Sequence, residues 1–217
     1  HVFAPLGMVD TLSILTSAEL GRPARLAQGH LNLYGFPVAD AEEEGYLGGS
    51  GGVISTAADM ARWLAMQANG GRLDGVEVLS PGGVAAMHAP PEGINSDYGM
   101  GWIATTRDGV PVLEHNGILS TFYADMALLP ESGHGMVLLY NVHSLAQVGL
   151  GFPAIRDGLI DLLTDREPQP PRFSVAALEA LLAAVTLVGA LQGVRRLLRL
   201  PAWRAWARGV FAWRLAP

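Results

Sequence analysis

The sequence predicts an α+β protein of the α/β sandwich type, in which an antiparallel sheet is flanked by helices and followed by a transmembrane helix. Three observations predict this class. Residues 112–141 hold short apolar runs separated by Gly, Pro and Asn, which is typical of strands joined by tight turns. Two stretches, one after Thr56 and one at residues 152–164, repeat apolar residues at helical spacing. Residues 173–194 form one long apolar run.

The charge of the chain is divided unevenly. Residues 1–171 carry seven Arg and 19 carboxylates, a net charge of −12, whereas residues 172–217 carry seven Arg and one carboxylate, Glu179, a net charge of +6. This asymmetry indicates that the two parts face different environments. The acidic part is a poor candidate for binding phosphates, so we expect no nucleic-acid partner.

Two residue types are missing from the sequence. It has no Cys, which excludes disulfides and Cys-ligated metal sites, and it has no Lys, since all 14 basic residues are Arg. A mechanism that needs a lysine base cannot be completed by these residues alone. We expect no metal and no cofactor. The chain opens at His1 with neither Met nor a signal-like segment, which predicts that it begins partway into a longer protein.

The first predicted helix follows Ser55 or Thr56, either of which can cap it. Asp59 lies in the favourable first turn, and Asn69 followed by two Gly is a stop signal. The apolar spacing around Trp63 predicts a helix of about 14 residues with this side chain in the core.

Three further elements are predicted on either side of the meander. Ser80 and Pro81 supply an N-cap and a first-turn proline for a short helix that runs to Met87. Residues 98–103 are expected to form a strand. Residues 152–164 are expected to form a helix that packs back on the sheet.

Within the meander, residues 112–114 form a strand that leads into a turn at residues 115–117, which read His-Asn-Gly. Residues 107–109 (Arg-Asp-Gly) are expected to form the hairpin turn before it, and residues 131–135 the hairpin loop after it. A Gly two residues after a His permits close approach of a carbonyl, and the imidazole can donate or accept a proton. Alone, this pattern is more typical of a turn than of a catalytic element.

Two other surface features have ordinary interpretations. The glycine-rich residues 45–52 could cradle a phosphate, but no P-loop lysine follows them. The acidic run Glu42, Glu43 and Glu44 is expected to face solvent.

The domain organisation is predicted from the C-terminal third of the sequence. Residues 1–164 form the main domain and residues 165–172 a Pro-rich linker. Residues 173–194 form a transmembrane helix, and residues 195–217 an Arg- and Trp-rich cytoplasmic flank. The positive-inside rule then places the acidic domain outside the cytoplasm, in the periplasm or at the cell surface. The alternative is a buried helix followed by a basic helix that lies on the membrane surface.

Several segments together resemble the C-terminal half of the serine β-lactamase-like hydrolases: class C β-lactamases, D-alanyl-D-alanine carboxypeptidases and related esterases. The segments occur in the order and spacing of that family, and they are VFAPLGMVDT (2–11), GGVISTAADMARWL (51–64), NGGRL (69–73), LSP (79–81), YGMGW (98–102), HNG (115–117), LP (129–130) and VLLYN (137–141).

The resemblance implies a β-lactamase/transpeptidase-like fold and a mechanism. A serine attacks an amide or ester carbonyl of a small-molecule or peptide acyl substrate, and water later hydrolyses the acyl-enzyme. By resemblance the catalytic positions of this chain are His115, Gly117 and Ile118, with the Ile118 N–H as half of the oxyanion hole. The expected substrate-binding positions are Asn116, Leu119 and Thr121.

The sequence departs from the family pattern in three ways. The Ser-x-x-Lys and Tyr-x-Asn motifs are absent, so we expect this chain alone to be inactive. His115 stands where many relatives carry Lys, which favours esterase or peptidase chemistry over true β-lactamase activity. Thr121 precedes Phe122 where relatives often have Gly. A rival interpretation is a membrane-tethered binding or regulatory protein that keeps the fold without the chemistry. The oligomeric state is left open.

Overall fold

The structure is a computed structural model that describes residues 2–23, 25–45, 47–93, 96–171 and 173–214, with the side chains of residues 201–214 excepted. It divides into two compact units, His1–Pro171 and Arg172–Pro217. The Arg and Trp side chains predicted for the flank beyond residue 200 lie outside the described residues.

Short strands and three α-helices make up the described part of the first unit. In chain order they are β1 Leu12–Ser13, β2 His30–Leu33, β3 Phe36–Ala39, β4 Val53–Ile54, α1 Ala57–Ala68, β5 Arg72–Leu73, β6 Val76–Glu77, α2 Pro81–His88, β7 Ile103–Arg107, β8 Val110–Ile118, β9 Tyr123–Leu129, β10 His134–Tyr140 and α3 Phe152–Leu163. A 3-10 turn at Ser17–Gly21 follows β1, and a π-helical turn at Gln147–Gly151 leads into α3. The second unit contains α4 Val175–Arg214.

The central sheet is an antiparallel meander with the strand order β10-β9-β8-β7. Arg107 pairs with Val110 across a two-residue turn, where Asp108 and Gly109 both have positive φ (48° and 84°). That conformation matches the right-handed twist of the two strands, and Asp-Gly adopts it readily. The turn predicted at residues 107–109 is confirmed.

Helices cover both faces of this sheet. Leu64 of α1 packs with Trp102, Leu113 and Leu128 on one face. On the other face, Ile160 of α3 packs against Val112 and Ala127. Adjacent residues of β8 are therefore buried on opposite faces, which explains why its sequence is apolar without alternation. The predicted fold class, an antiparallel sheet flanked by helices, is confirmed.

The predicted helix caps are confirmed as well. The Thr56 hydroxyl accepts a hydrogen bond from the Asp59 N–H at the start of α1, at 3.2 Å. At α2, the Ser80 hydroxyl accepts from the Gly83 N–H at 3.1 Å, and Pro81 occupies the first helical position. Each cap satisfies a backbone donor that the helix itself leaves unpaired.

The expected turn at His115, Asn116 and Gly117 is wrong, because these residues continue β8 as far as Ile118. Gly117 does not have the positive φ that an Asn-Gly hairpin turn requires. The chain reverses one step later, where the Leu119 N–H donates to the Phe122 carbonyl at 2.9 Å.

The strand expected at residues 98–103 is also wrong over most of its length, since β7 begins at Ile103. Gly101 has a φ of 80°, which ends any extended run. The Met100 N–H donates to the Met87 carbonyl of α2 at 2.8 Å, so the segment folds back on the end of that helix. A Cβ on Gly99 would lie 2.5 Å from the same carbonyl oxygen, which explains the glycine.

A buried ion cluster joins α3 to the strands beneath it. The Arg156 guanidinium, 12% exposed, lies 3.5 Å from Glu114 of β8 and 3.6 Å from Asp125 of β9. Arg107 of β7 donates to both carboxylate oxygens of Glu114, at 3.0 and 2.9 Å. Burial raises the pKa of Asp125 to about 6, and the nearby Arg156 opposes that rise.

We expect Arg156→Met to lower the free energy of unfolding by about 3–5 kcal/mol, because it leaves the buried Asp125 carboxylate without its ion-pair partner. Urea unfolding of the full chain in mild detergent, followed by near-UV circular dichroism, measures this loss. The matched control is Arg72→Met, which removes a solvent-exposed pair with Glu77 and should cost less than about 1 kcal/mol. Equal losses in the two variants would show that the cluster does not stabilise the fold.

The second unit is a long helix with an apolar first half. Within the described residues, Val175–Leu200 is the one segment long and apolar enough to cross a membrane, with 26 residues and a mean hydropathy of 1.9. Large apolar side chains such as Leu181, Val185 and Leu191 are about 60% exposed on it. Length and composition therefore make α4 a candidate membrane span.

Candidate active site

The part of β8 that carries His115 to Ile118 has a strand partner on one side only. β9 pairs along it as far as the Ile118–Tyr123 pair, whereas β7 pairs only from Val110 to Glu114. In an antiparallel pair the hydrogen-bonded and non-hydrogen-bonded positions alternate. Because the Leu119 N–H bonds across to Phe122, the Ile118 N–H points away from β9. It therefore faces the open edge of the sheet.

Gly117 leaves room above the strand next to that amide. A Cβ at Gly117 would meet only the Ala124 Cβ, at 4.0 Å, and its φ is not positive. Neither packing nor backbone conformation within this unit therefore requires a glycine here. A ligand, or polypeptide outside this chain, that approaches the backbone closely would require one.

His115 lies on the α1 side of the sheet, next to the open edge. Its Nε2 is 3.0 Å from the Tyr98 hydroxyl, and the two rings meet edge to face with their centroids 5.6 Å apart. Tyr98 is 46% exposed and belongs to the segment that folds back on α2. The imidazole thus has a fixed hydroxyl partner and remains partly accessible to solvent.

A large cleft of about 1090 Å³ lies beside this edge. Its lining includes residues 115–119 of β8 and its turn, the glycine-rich residues 49–52, and a set of apolar side chains: Leu12, Ile14, Leu20, Leu26 and Phe122. A Cβ on Gly52 would lie 2.1 Å from the Ile14 carbonyl oxygen, so close packing explains that glycine without a phosphate. Polar and charged side chains also line the cleft, among them Asp10, Arg22 and Arg25, so its lining is mixed.

The predicted substrate-binding residues are distributed differently. Leu119 lines the cleft. The Asn116 side chain donates to the Tyr123 hydroxyl at 3.4 Å, which ties it to its neighbouring strand. Thr121 is 1% exposed and its hydroxyl donates to Glu42 at 2.8 Å, so the structure does not bring it to the cleft. Phe122, the next residue, lies at the cleft instead.

Two residues near the site were not predicted. Tyr98 was noted only within the matching YGMGW segment, and its contact with His115 joins residues 17 positions apart. Glu42 was expected to face solvent, but its carboxylate is half-buried against the turn after β8. No local pattern distinguishes it from Glu43 and Glu44, because its role depends on a loop that folds across the hairpin.

Comparison with known proteins identifies the family of this chain. Residues 1–159 match the family model described as beta-lactamase. The chain belongs to the beta-lactamase family, a family of serine hydrolases with the β-lactamase/transpeptidase-like fold.

Two curated relatives align with the first unit. The unguisins hydrolase of Aspergillus campestris is 28% identical over 151 residues, which are 64% of this chain and 27% of that protein. Penicillin-binding protein 4 of Amycolatopsis lactamdurans is 30% identical over 153 residues, which are 65% of this chain and 39% of that protein.

Two solved structures share the fold. The octameric penicillin-binding protein homologue from Pyrococcus abyssi superposes with a TM-score of 0.60 at 22% identity, over 77% of this chain and 36% of that one. A penicillin binding protein from Bacillus halodurans gives a TM-score of 0.51 at 24% identity, over 66% and 43%. This chain thus spans well under half the length of these four proteins.

We expect Gly29→Ala and Gly117→Ala to affect stability differently. A Cβ at Gly29 would lie 2.4 Å from the Thr121 hydroxyl oxygen, so Gly29→Ala should cost about 1–3 kcal/mol. Gly117→Ala should leave the free energy of unfolding unchanged or raise it by up to about 1 kcal/mol, since Ala suits a strand better than Gly. Urea unfolding compares the two. If Gly117→Ala is as damaging as Gly29→Ala, internal packing requires that glycine and the argument for ligand approach fails.

Proposed function

We propose that this chain forms one wall of the active site of a serine hydrolase that cleaves amide or ester bonds through an acyl-enzyme. The observation that carries the proposal is the open edge of β8, where the outward Ile118 N–H, the space above Gly117 and the His115 imidazole border one cleft. Membership of a serine hydrolase family supports it.

The nucleophile of this proposal lies on polypeptide outside the chain. The sequence contains no Lys, so a Ser-x-x-Lys motif cannot come from it. The matched residues make up 27% and 39% of the two curated relatives, which leaves most of a family member unrepresented here. We therefore propose that the chain is inactive by itself and that a partner segment completes the cleft.

In the proposed reaction, a serine hydroxyl gives its proton to a base on the same polypeptide outside this chain and adds to the substrate carbonyl carbon, so the carbonyl oxygen gains negative charge. The base later passes the proton to the leaving amine or alcohol. The Ile118 N–H donates a hydrogen bond to that oxyanion from the edge of a rigid sheet, so little reorganisation is needed as the charge develops. Expulsion of the amine or alcohol leaves the acyl-enzyme. Water then adds to its carbonyl, releases the acid and restores the serine.

His115 is proposed to hold the substrate or the catalytic hydroxyl network in place through its bond with Tyr98. A histidine is a weaker cation at neutral pH than the lysine many relatives carry, which weakens recognition of the carboxylate of a β-lactam. The apolar side chains that line part of the cleft, such as Leu20, Leu26 and Phe122, suit an apolar acyl group. Both points favour ester or peptide-like substrates.

Labelling with a fluorophosphonate and with a fluorescent penicillin tests the proposal. The protein that joins this chain to the polypeptide encoded upstream should react with the fluorophosphonate, and the present chain alone should not. His115→Ala should reduce the labelling rate at least tenfold, because the catalytic hydroxyl network is then no longer held in the reactive geometry. Ile118→Pro should reduce it by about 10²–10³, because it removes the oxyanion donor, whereas Ile118→Val keeps the amide and should label normally.

Two results would overturn the proposal. One is hydrolysis of p-nitrophenyl acetate by this chain alone that His115→Ala abolishes, since that would make the chain complete. The other is an upstream polypeptide without Ser-x-x-Lys and Tyr-x-Asn, combined with no labelling by either probe. That result would favour the non-catalytic binding protein of the same fold.

We further propose that α4 anchors the hydrolase unit in a membrane, with this unit outside the cytoplasm. The apolar segment Val175–Leu200 supports spanning by its length and hydropathy. Arg195, Arg196 and Arg199 near its C-terminal end support a cytoplasmic location for that end, by the positive-inside rule.

The absence of Cys from the sequence makes the orientation measurable with single cysteines. We expect Ser132→Cys, in the exposed turn between β9 and β10, to react with a membrane-impermeant maleimide on intact cells. Ala205→Cys is the matched control and should react only after the membrane is permeabilised. The reverse pattern would invert the orientation, and reaction of both on intact cells would exclude a membrane span.

A further inference from the structure

The carboxylate of Glu42 is bound by the turn that follows β8. Its Oε1 accepts hydrogen bonds from the Ser120 N–H and hydroxyl, at 2.8 and 2.7 Å. Its Oε2 accepts from the Thr121 N–H and hydroxyl, at 3.0 and 2.8 Å. Both carboxylate oxygens therefore accept hydrogen bonds from consecutive residues of one turn. A solvent-facing side chain in an acidic run would not be expected to have such a defined set of partners.

The loop that carries Glu42 is itself held in place. The Glu43 N–H donates to the Ser120 hydroxyl oxygen at 3.0 Å. The Gly45 N–H donates to the Ser17 hydroxyl oxygen at 2.9 Å, which fixes the far end of the loop to the 3-10 turn after β1. Glu42 thus connects the hairpin to a loop that is itself held by hydrogen bonds at its far end.

The charge on Glu42 is stabilised by these donors. Burial alone would raise its pKa, but the hydrogen bonds from Ser120 and Thr121 outweigh burial and lower the pKa below its usual value of 4.5. The carboxylate is therefore ionised at neutral pH. Hydrogen bonds to a charged acceptor are stronger than neutral ones, so this contact is the firmest restraint on the turn.

The peptide that carries the Ile118 N–H is restrained by β9 on its Gly117 side only, through the Gly117–Ala124 pair. Ile118 and Tyr123 form a non-hydrogen-bonded pair, so the Ile118 N–H makes no bond to β9, and β7 does not extend to it. Its direction is set by the residues on either side, and Leu119 begins the turn that Glu42 holds. A shift of that turn would re-aim the amide.

We infer that Glu42 is a positioning residue that fixes the turn at residues 119–122 and so aims the Ile118 N–H along the open edge of β8. The role of that amide as the oxyanion donor rests on the proposed function. Glu42 touches neither the substrate nor the reacting atoms in this scheme. It acts through Ser120 and Thr121.

The experiment compares Glu42→Gln with Glu43→Gln, which makes the same change of charge one residue away at an exposed side chain. The full chain is labelled with ¹⁵N and studied by NMR in detergent micelles. In Glu42→Gln, the Ile118 amide resonance should shift and the Leu119 N–H should exchange with solvent roughly 10–100-fold faster, since a charged hydrogen-bond acceptor is lost. Glu43→Gln should leave both amides as in the parent chain.

Thr121→Val is a milder second variant that keeps the shape of the side chain and removes one donor to Glu42. It should move the same two amides in the same direction by a smaller amount. Unchanged Ile118 and Leu119 amides in both Glu42→Gln and Thr121→Val would overturn the inference, whether or not the protein proves to be a hydrolase.

A kinetic measurement separates this inference from the proposed function. In the assembled hydrolase, Glu42→Gln should lower kcat about tenfold or more with KM within about twofold, since a misdirected oxyanion donor weakens only the transition state. If the parent protein is active and kcat is unchanged while the amides move, the positioning role is wrong. If the parent protein is inactive, the proposed function fails and the NMR result alone decides whether Glu42 aims the amide.

Discussion

The strand that carries the candidate site is anchored by a buried cluster of two arginines and two carboxylates. Arg156 of α3 lies near Glu114 of β8 and Asp125 of β9, and Arg107 of β7 donates to both carboxylate oxygens of Glu114. Carboxylates at these depths would be costly without such a partner. Glu114 immediately precedes His115, so the restraint acts directly on the start of the open edge. The proposed site residues therefore lie on an anchored strand, and only the last of them rely on a loop.

The same strand changes its environment halfway along. Leu113 and Glu114 pair with β7 on one side and β9 on the other, and among the described residues only β9 pairs with the strand beyond Glu114. Unpaired edges invite association with other chains, so natural proteins usually cover or shorten them. Here the open part is four residues long and borders a cleft. The outward backbone N–H groups of this part can bind a ligand without breaking a hydrogen bond of the sheet.

Family membership and site geometry contribute different parts of the functional argument. The match over residues 1–159 establishes the serine hydrolase family and its fold. It does not select a substrate, because one fold hosts many chemistries. That choice depends on features of this chain, such as a histidine in the strand motif, a tyrosine bonded to it and a cleft with a mixed apolar and polar lining. The restraint by Glu42 adds a connection between a surface loop and the backbone amide next to the motif.

The local sequence pattern predicted the helix caps and the first hairpin turn correctly, because their structure depends on residues nearby in the chain. Thr56 caps its helix and Asp108 with Gly109 turns a hairpin, because each acts through backbone groups within a few residues. The His-Asn-Gly segment was misjudged as a turn, since its extended conformation is imposed by pairing with β9. Glu42 binds Ser120, which lies 78 residues further along the chain. Arg156 lies near Glu114, which precedes it by 42 residues. Such contacts form only when the chain folds, and composition and periodicity carry no information about them.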